Sequence, residues 1–147
     1  MKIAREPVHG LWPELLPMLE DGFKVYDPFP GVPLEVDQAM YEALENAGVL
    51  RIFTARQDDG ELVGYAVFIV APSPRRRSVI VAQQDVLHTS NKVGPHAALA
   101  LIRQSEAALR AEGVNLVYHS SPIGCKFGQL LEMLHYRPIA QAHAKWL

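Results

Sequence analysis

The sequence predicts a single α/β domain of the α+β type, whose mixed central sheet combines an antiparallel meander with one βαβ crossover. Three apolar segments rich in β-forming residues follow one another, and Asp58-Asp59-Gly60 marks a tight turn between the first two. A strand, a long amphipathic helix and a further strand come next, and such a crossover makes its two strands parallel. The chain has 147 residues, 49% of them hydrophobic, so residues 1–147 have the size and composition of one domain. Helices are expected on both faces of the sheet.

The first third of the chain predicts an edge strand and two helices. Residues 2–8 form the strand, and residues 11–23 carry apolar side chains at helical spacing. Pro13 falls in the opening turn of this helix, whereas Pro17 is expected to kink or shorten it. A proline-rich loop over residues 27–33 separates it from the second helix, residues 34–47, which Gly48 ends.

The remaining segments supply the sheet and two more helices. Strands are predicted over residues 50–56, 61–70, 78–87, 114–119 and 138–146, and a short helix over residues 125–134. The long helix begins at Pro95 and ends at Gly113. Its predicted buried stripe consists of Ala98, Leu101, Ile102, Ser105 and Leu109.

Composition argues against several classes of function. The formal charge of −2 offers no general attraction for nucleic acid, and the run Arg75-Arg76-Arg77 is interpreted as a solvated loop because no aromatic residues accompany it. Neither a membrane-spanning run nor a signal peptide is evident, and Cys125 is the only cysteine, so a cytoplasmic protein is expected. The histidines show no metal-binding spacing, so no metal site is predicted.

The turn Asn91-Lys92-Val93-Gly94-Pro95-His96 stands between a strand and the N-terminus of the long helix, where backbone N–H groups can bind an anion. It resembles the pyrophosphate-binding loop of the GNAT N-acetyltransferases, although Asn91 and His96 depart from the family pattern. The order of predicted elements is similar to that fold over the whole chain. The segment from Leu130 to Tyr136 resembles a family motif in which His135-Tyr136 replaces Gly-Phe.

The resemblance implies acetyl-CoA as cofactor, bound between two strands that splay apart. The strand end, comprising Asp85, Val86 and Leu87, would bind the pantetheine amides. The turn would hold the pyrophosphate through the backbone N–H groups of Lys92, Val93, Gly94 and His96, with Asn91 beside them. Pro95 has no N–H to contribute.

The chemistry requires a base for the amine proton and often an acid for the departing thiolate. His119 and Asp85 are the candidates for the base, and His119 has the more suitable unperturbed pKa. The family places an acidic tyrosine where this chain has Leu131, so Tyr118 and Tyr136 are the substitutes considered.

The resemblance therefore implies an N-acetyltransferase that transfers an acetyl group to a small-molecule or peptidyl amine by direct attack. The alternative is a catalytically degenerate binding or virion-associated protein of the same fold, which Pro95, His96 and the missing family tyrosine favour. The chain also resembles acetyltransferase-like proteins encoded in bacteriophage genomes. In that case it would reside in the host cytoplasm or in the virion. No membrane partner is expected, nucleic acid is disfavoured, and a homodimer is predicted through the apolar C-terminal strand.

Overall fold

The computed structural model describes residues 1–27, 29 and 31–145. It contains a mixed five-stranded sheet and four helices. In chain order the elements are β1 (Lys2–Arg5), α1 (Val8–Tyr26), α2 (Gln38–Asn46), β2 (Leu50–Arg56), β3 (Leu62–Ser73), β4 (Arg76–Thr89), α3 (Pro95–Ala111), β5 (Leu116–Tyr118) and α4 (Phe127–Met133).

The sheet has the order β1-β2-β3-β4-β5, which is also the order along the chain. The first three pairings are antiparallel, and β4 pairs with β5 in parallel through the crossover helix α3. The predicted meander and βαβ crossover are therefore confirmed. Gly113, with φ of 91°, ends the α3 segment in the left-handed conformation that favours glycine.

Helices cover both faces of the sheet, as predicted. On one face α1 and α2 pack against apolar side chains that include Ile52, Tyr65 and Val67. On the other face α3 packs against a second cluster that includes Phe53 and Phe68. These two faces are called here the α1 face and the α3 face.

Helix α1 differs from the prediction, because it starts earlier and continues through both prolines to Tyr26. Pro13 therefore lies inside the helix, and Pro17 does not shorten it. The cause is tertiary packing: α1 buries a long stripe, whose members are Val8, Leu11, Trp12, Leu15, Leu19 and Gly22. Burial of one large apolar side chain contributes about 1.5–3 kcal/mol, so this stripe outweighs the cost of about 3 kcal/mol for an interior proline.

Other differences from the prediction include two element boundaries and one buried stripe. Helix α2 begins at Gln38, because the Asp37 side chain accepts a hydrogen bond from the Met40 N–H and caps the helix. Strand β4 begins at Arg76, inside the segment predicted as a loop, because β3 and β4 pair almost to the tip of their hairpin. In α3 the buried stripe includes Ala97, whereas the predicted Ala98 is only partly buried.

The predicted last strand is wrong for the described residues 138–145, which form neither strand nor helix. Trp146, the end of that predicted strand, lies outside the described residues. Apart from Pro138 and Ile139, this segment holds Ala, Gln, His and Lys, which supply little of the branched or aromatic surface that strands favour. Ile139 itself is 66% exposed.

Candidate active site

The candidate site lies where β4 and β5 separate. Their parallel pairing covers only Val81, Ala82 and Gln83 on β4, and it ends at the pair Gln83–Tyr118. In the described part of the chain no strand pairs with this edge of β4 from Gln84 to Thr89, a length of about 20 Å at roughly 3.3 Å per residue. The sheet thus contains an open cleft along the second half of β4.

A β-bulge stands at the base of this cleft. Val67 of β3 pairs with Val86, and Phe68 pairs with Gln84, so Asp85 is the extra residue without a partner on β3. A bulge bends its strand and increases the local twist. The bulge therefore coincides with the point at which β4 turns away from β5.

Asp85 acts electrostatically on two tyrosines of the α1 face. Burial, followed by the Asp85 charge, raises the pKa of Tyr41 to about 12. Burial is also the main cause that raises the pKa of Tyr65, with Tyr41 and Asp85 contributing. Part of Asp85 is open to solvent, but partial burial of its carboxyl group raises its own pKa. Asp85 is therefore an accessible carboxylate with increased basicity.

His119 lies on the opposite face, just after β5. Its Nδ1 atom is 2.5 Å from Gln84 Oε1, and its ring makes edge contacts with Phe68, Phe127 and Tyr136. Burial lowers the pKa of His119 to about 4. The imidazole is therefore neutral near pH 7.

The turn after α4 positions Tyr136 against His119. His135 adopts a left-handed conformation with φ of 66°, and the N–H groups of His135 and Tyr136 donate to the carbonyls of Glu132 and Leu131. These bonds form a Schellman motif, in which glycine normally occupies the position of His135. The Tyr136 hydroxyl donates to Glu106 of α3 at 2.5 Å, and burial is the main cause that raises the pKa of Tyr136.

Two backbone N–H groups of the turn before α3 form hydrogen bonds within the turn. The Lys92 N–H donates to Ser90 Oγ, and the Val93 N–H donates to the Ser90 carbonyl. Within the described chain, the N–H groups of Asn91, Gly94 and His96 have no protein acceptor. The last two lie at the start of α3, where the helix dipole favours an anion. Two of the four donors predicted for a pyrophosphate are thus already engaged, and two are available.

Gly94 occupies an ordinary extended conformation, with φ of −76° and ψ of 178°. Glycine is therefore not required there by the backbone. A Cβ atom at this position would lie 3.0 Å from His96 Nδ1, which belongs to a side chain that can move. What Gly94 provides is open space at the first turn of α3.

Two cavities flank the α1 face. One of about 580 Å³ lies between α1 and the turn, and is lined among others by Lys24, His88 and Lys92. The other, of about 290 Å³, lies beside the α1–α2 loop. It is lined by Phe23, Asp27, Phe29, Val32, Pro33, Leu34 and Glu35.

The structure divides the predicted catalytic residues between the two faces. Val117 packs into the α3-face cluster, so Tyr118 faces the α1 side together with Asp85, while His119 and Tyr136 meet on the α3 face. Sequence reasoning missed Gln84, Glu106 and Tyr41. No sequence signal could have found Gln84, because its contact with His119 depends on the register of the bulge.

The cofactor-binding candidates lie along the open part of β4 and in the following turn. Val86 packs toward the α1 face and Leu87 toward the α3 face, so the backbone between them lies along the cleft. Lys92 directs its ammonium group to Glu61, with Nζ and Oε1 2.5 Å apart, and this hydrogen bond raises the pKa of Lys92.

The described residues contain neither a metal-binding cluster nor a membrane-spanning helix. No three His, Cys, Asp or Glu side chains among them are grouped so that they could hold a metal ion. None of the helices in that part of the chain has the length and apolar character needed to cross a bilayer.

At the level of sequence, no protein-family model and no curated protein matches the chain. Solved structures with the same fold are nevertheless found. The ribosomal-protein-alanine N-acetyltransferase of Brucella melitensis biovar Abortus is similar with a TM-score of 0.74 and 19% identity, covering 100% of this chain and 99% of that one. An acetyltransferase of Trypanosoma brucei has a TM-score of 0.73 and 19% identity, with 99% of both chains covered.

A third similar structure is an aminoglycoside acetyltransferase from an uncultured soil metagenomic sample. Its TM-score is 0.73 at 13% identity, and the match covers 99% of this chain and 93% of that one. These similarities lend no support to the resemblance to bacteriophage proteins. The matches span essentially the full length of each structure, and the chain therefore has the fold of the GNAT acetyltransferases.

Proposed function

We propose that this protein is an acetyl-CoA-dependent N-acetyltransferase that acts on a primary amine by direct attack. The observation that carries the proposal is the open edge of β4, which begins at the Asp85 bulge and ends at the first turn of α3. One continuous cleft thus joins an accessible carboxylate to a helix N-terminus. Such an arrangement suits an extended cofactor with a reactive group at one end and phosphates at the other.

The residues of the cleft fit acetyl-CoA, which supplies an activated acetyl thioester when bound. The N–H groups of Gly94 and His96 are available for phosphate oxygens, and the edge of β4 through Val86 and Leu87 can bond to amides. Lys92 can add a positive charge once its contact with Glu61 is exchanged. A buried, unpartnered nitrogen on His119 also lies at the base of the cleft.

Asp85 is the base in this proposal. It must take a proton from the amine, and its raised pKa and contact with solvent suit that role. His119 is less suitable because Gln84 engages its Nδ1, its Nε2 is shielded from solvent, and its pKa is about 4. Asp85 also lies on the face toward α1 and α2, beside which the two cavities open.

A dedicated acid is not assigned. Tyr136 donates its one hydroxyl proton to Glu106, and Tyr118 lies on the other face of the sheet. A thiol has a pKa of about 8.5, so a thiolate can leave near neutral pH without a proton donor. The position of the family tyrosine is filled by Leu131, which is buried.

The cavity beside the α1–α2 loop is the proposed acceptor site. Phe23, Phe29 and Pro33 line it, whereas Tyr26 contacts the His88 ring. The similar proteins act on different amines by name, a protein alanine in one case and an aminoglycoside in another. We therefore propose testing both a peptide with N-terminal alanine and an aminoglycoside as acceptors.

Binding of coenzyme A tests the proposal directly. Isothermal titration should show saturable heat with the parent protein and a loss of affinity of at least about tenfold for Gly94→Asp, because a carboxylate would then stand beside the phosphates. The same carboxylate is a good N-cap for α3, so the free energy of unfolding should stay constant or rise by a few tenths of a kcal/mol. If Gly94→Asp loses affinity for coenzyme A but keeps its free energy of unfolding, misfolding does not explain the loss.

Gly94→Ala is the matched control, since it adds a Cβ atom without a charge and should retain most of the affinity. If the parent protein shows no heat with coenzyme A, the proposed function is wrong. If it binds but acetylates neither acceptor, as followed by mass spectrometry, only the choice of acceptor is contradicted.

A further inference from the structure

The Nε2 atom of His119 is a buried polar atom without a hydrogen-bond partner among the described residues. Its ring is enclosed by Phe68, Phe127 and Tyr136, with centroid distances of 5.7, 6.1 and 5.0 Å. None of these rings offers it a donor, because the Tyr136 hydroxyl is bonded to Glu106. Leaving a buried acceptor unsatisfied costs about 1–3 kcal/mol, so the arrangement calls for a function.

The protonation of the ring follows from its neighbour. Gln84 directs its amide oxygen to Nδ1 of His119, while its amide nitrogen faces the Ser120 carbonyl at 3.5 Å. An amide oxygen can only accept, so Nδ1 must carry the proton of the neutral imidazole. Nε2 then presents a lone pair and can only accept a hydrogen bond.

The location of His119 indicates where a donor could come from. The β4–β5 pairing ends at Gln83–Tyr118, and Gln84 and His119 are the next residue on each strand. His119 therefore lies at the base of the cleft, at the end remote from the first turn of α3. Under the proposed function, the phosphates bind at that turn and the sulfur end of the cofactor reaches this base.

We propose that Nε2 of His119 accepts a hydrogen bond from the thiol S–H of free coenzyme A. This inference rests on the proposed function. It assigns to His119 the role of distinguishing the product thiol from the thioester substrate. A thioester sulfur has no hydrogen to donate, whereas a thiol is a weak donor that tolerates apolar surroundings. The enclosing aromatic rings suit a thiol better than an amide, whose carbonyl would remain without a partner there.

Access to Nε2 requires a shift of α4. Phe127 belongs to α4 and Tyr136 to the turn after it, so both cover the ring from the α4 side. Among the described side chains of this seven-residue helix, only Leu131 is buried. A helix anchored by so little apolar surface can move at small energetic cost.

Nitrogen NMR of the histidine rings in the full-length protein tests the inference without an activity measurement. The parent protein at pH 7 should show His119 as the Nδ1–H tautomer. Addition of coenzyme A should shift its Nε2 resonance in the direction of an accepted hydrogen bond, whereas desulfo-coenzyme A, which lacks the thiol, should not. Titration calorimetry should show coenzyme A binding about two- to tenfold more tightly than the desulfo analogue.

His88 provides the internal control because it lies beside Asn91 and Lys92 and should respond equally to both compounds. His119→Phe removes the acceptor, identifies the resonance, and should abolish the preference for the thiol. If that variant does not fold, contacts from the ring protons to Phe68 and Tyr136 identify the resonance in the parent protein.

The outcomes separate the two claims. An Nε2 shift with both compounds would assign the donor to the pantetheine amides and overturn the thiol contact. Binding of both compounds without any Nε2 shift would overturn the inference and leave the proposed function standing. Absence of binding by either compound would refute both.

Discussion

Partial burial at the base of the cleft changes the pKa values of Asp85 and His119 in opposite directions. It raises the pKa of the Asp85 carboxyl group and lowers that of the His119 ring to about 4. The physical cause is the same, since a poorly hydrated site disfavours whichever form carries the charge. Near neutral pH the His119 ring is therefore neutral and is restricted to hydrogen bonding, whereas the raised pKa of Asp85 increases the basicity of its carboxylate.

Replacing Asp85 with Asn should separate activity from stability. Loss of a general base should lower kcat by about a hundredfold or more, while the affinity for coenzyme A changes little. Because the folded-state pKa of Asp85 is raised, its ionisation reduces stability at neutral pH, and this deficit disappears as the pH falls through that pKa. Asp85→Asn should therefore raise Tm at pH 7, with the gain shrinking toward about pH 4.

Steady-state kinetics on the acetylated amine and thermal unfolding at both pH values provide the measurements. Glu20→Gln, at an exposed position on α1 that lines neither cavity, is the matched control and should keep kcat within about twofold. Unchanged kcat in Asp85→Asn would move the role of base to His119 or to water.

His119 should make the fold sensitive to mild acid. Its pKa falls from 6.5 to about 4 on folding. Between these two pH values the ring is protonated in the unfolded chain and neutral in the folded chain. The corresponding stability is present above about pH 6.5 and is lost as the pH falls toward 4, to a maximum of about 3 kcal/mol. Urea unfolding of the parent and His119→Phe should show the parent losing up to about 3 kcal/mol relative to the variant as the pH falls from about 6.5 toward 4. Parallel curves would contradict the burial of a neutral ring.

Helix α4 ends at a position where the local conformation and the residue type conflict. His135 has a φ of 66° in a turn that glycine adopts without strain. His135→Gly should therefore raise the free energy of unfolding by roughly 0.5–1 kcal/mol, and His135→Val should lower it, because a branched Cβ is poorly tolerated there. Urea unfolding measures both. A destabilised His135→Gly would show that the imidazole makes a favourable contact that compensates for the backbone.

The strands and helices with strong periodic patterns could be predicted from the sequence, and irregular features could not. The alternation over Leu50–Arg56 and the apolar run of β3 depend only on local residues and were interpreted correctly. The passage of α1 through Pro17 depends on the sheet beneath it, which local propensity does not contain. The Asp85 bulge likewise depends on pairing with β3, so the grouping of Asp85 with Tyr41 and Tyr65 could not be foreseen.

The molecule as a whole leaves one edge of its sheet uncovered by the described residues. β5 pairs only with β4, and the segment predicted to form the last strand does not pair with it. Two apolar side chains of β5 itself, Leu116 and Tyr118, are exposed. An unpaired edge with apolar neighbours promotes association, so the homodimer expected from the sequence stays a prediction, now with β5 at its interface.

Light scattering at micromolar concentration should give the mass of a dimer for the parent protein. Leu116→Lys should shift the mass toward the monomer, because lysine on an edge strand discourages pairing. Val25→Lys, at an exposed position on α1, is the matched control and should leave the mass unchanged. A monomeric parent would mean that the edge is shielded within the chain.

The bulge at Asp85 can also be regarded as a one-residue insertion. If Asp85 were deleted, Gln84 and Val86 would become adjacent and face Phe68 and Val67, which are already adjacent, so the ladder would close without changing either neighbouring pair. Every later side chain of β4 would keep its face, because the side-chain period of a strand is two and the pairing register is unchanged. The deletion would remove both the bend in β4 and the negative charge of Asp85. Deletion of this one residue would therefore remove the candidate base and leave the pairing of the sheet intact.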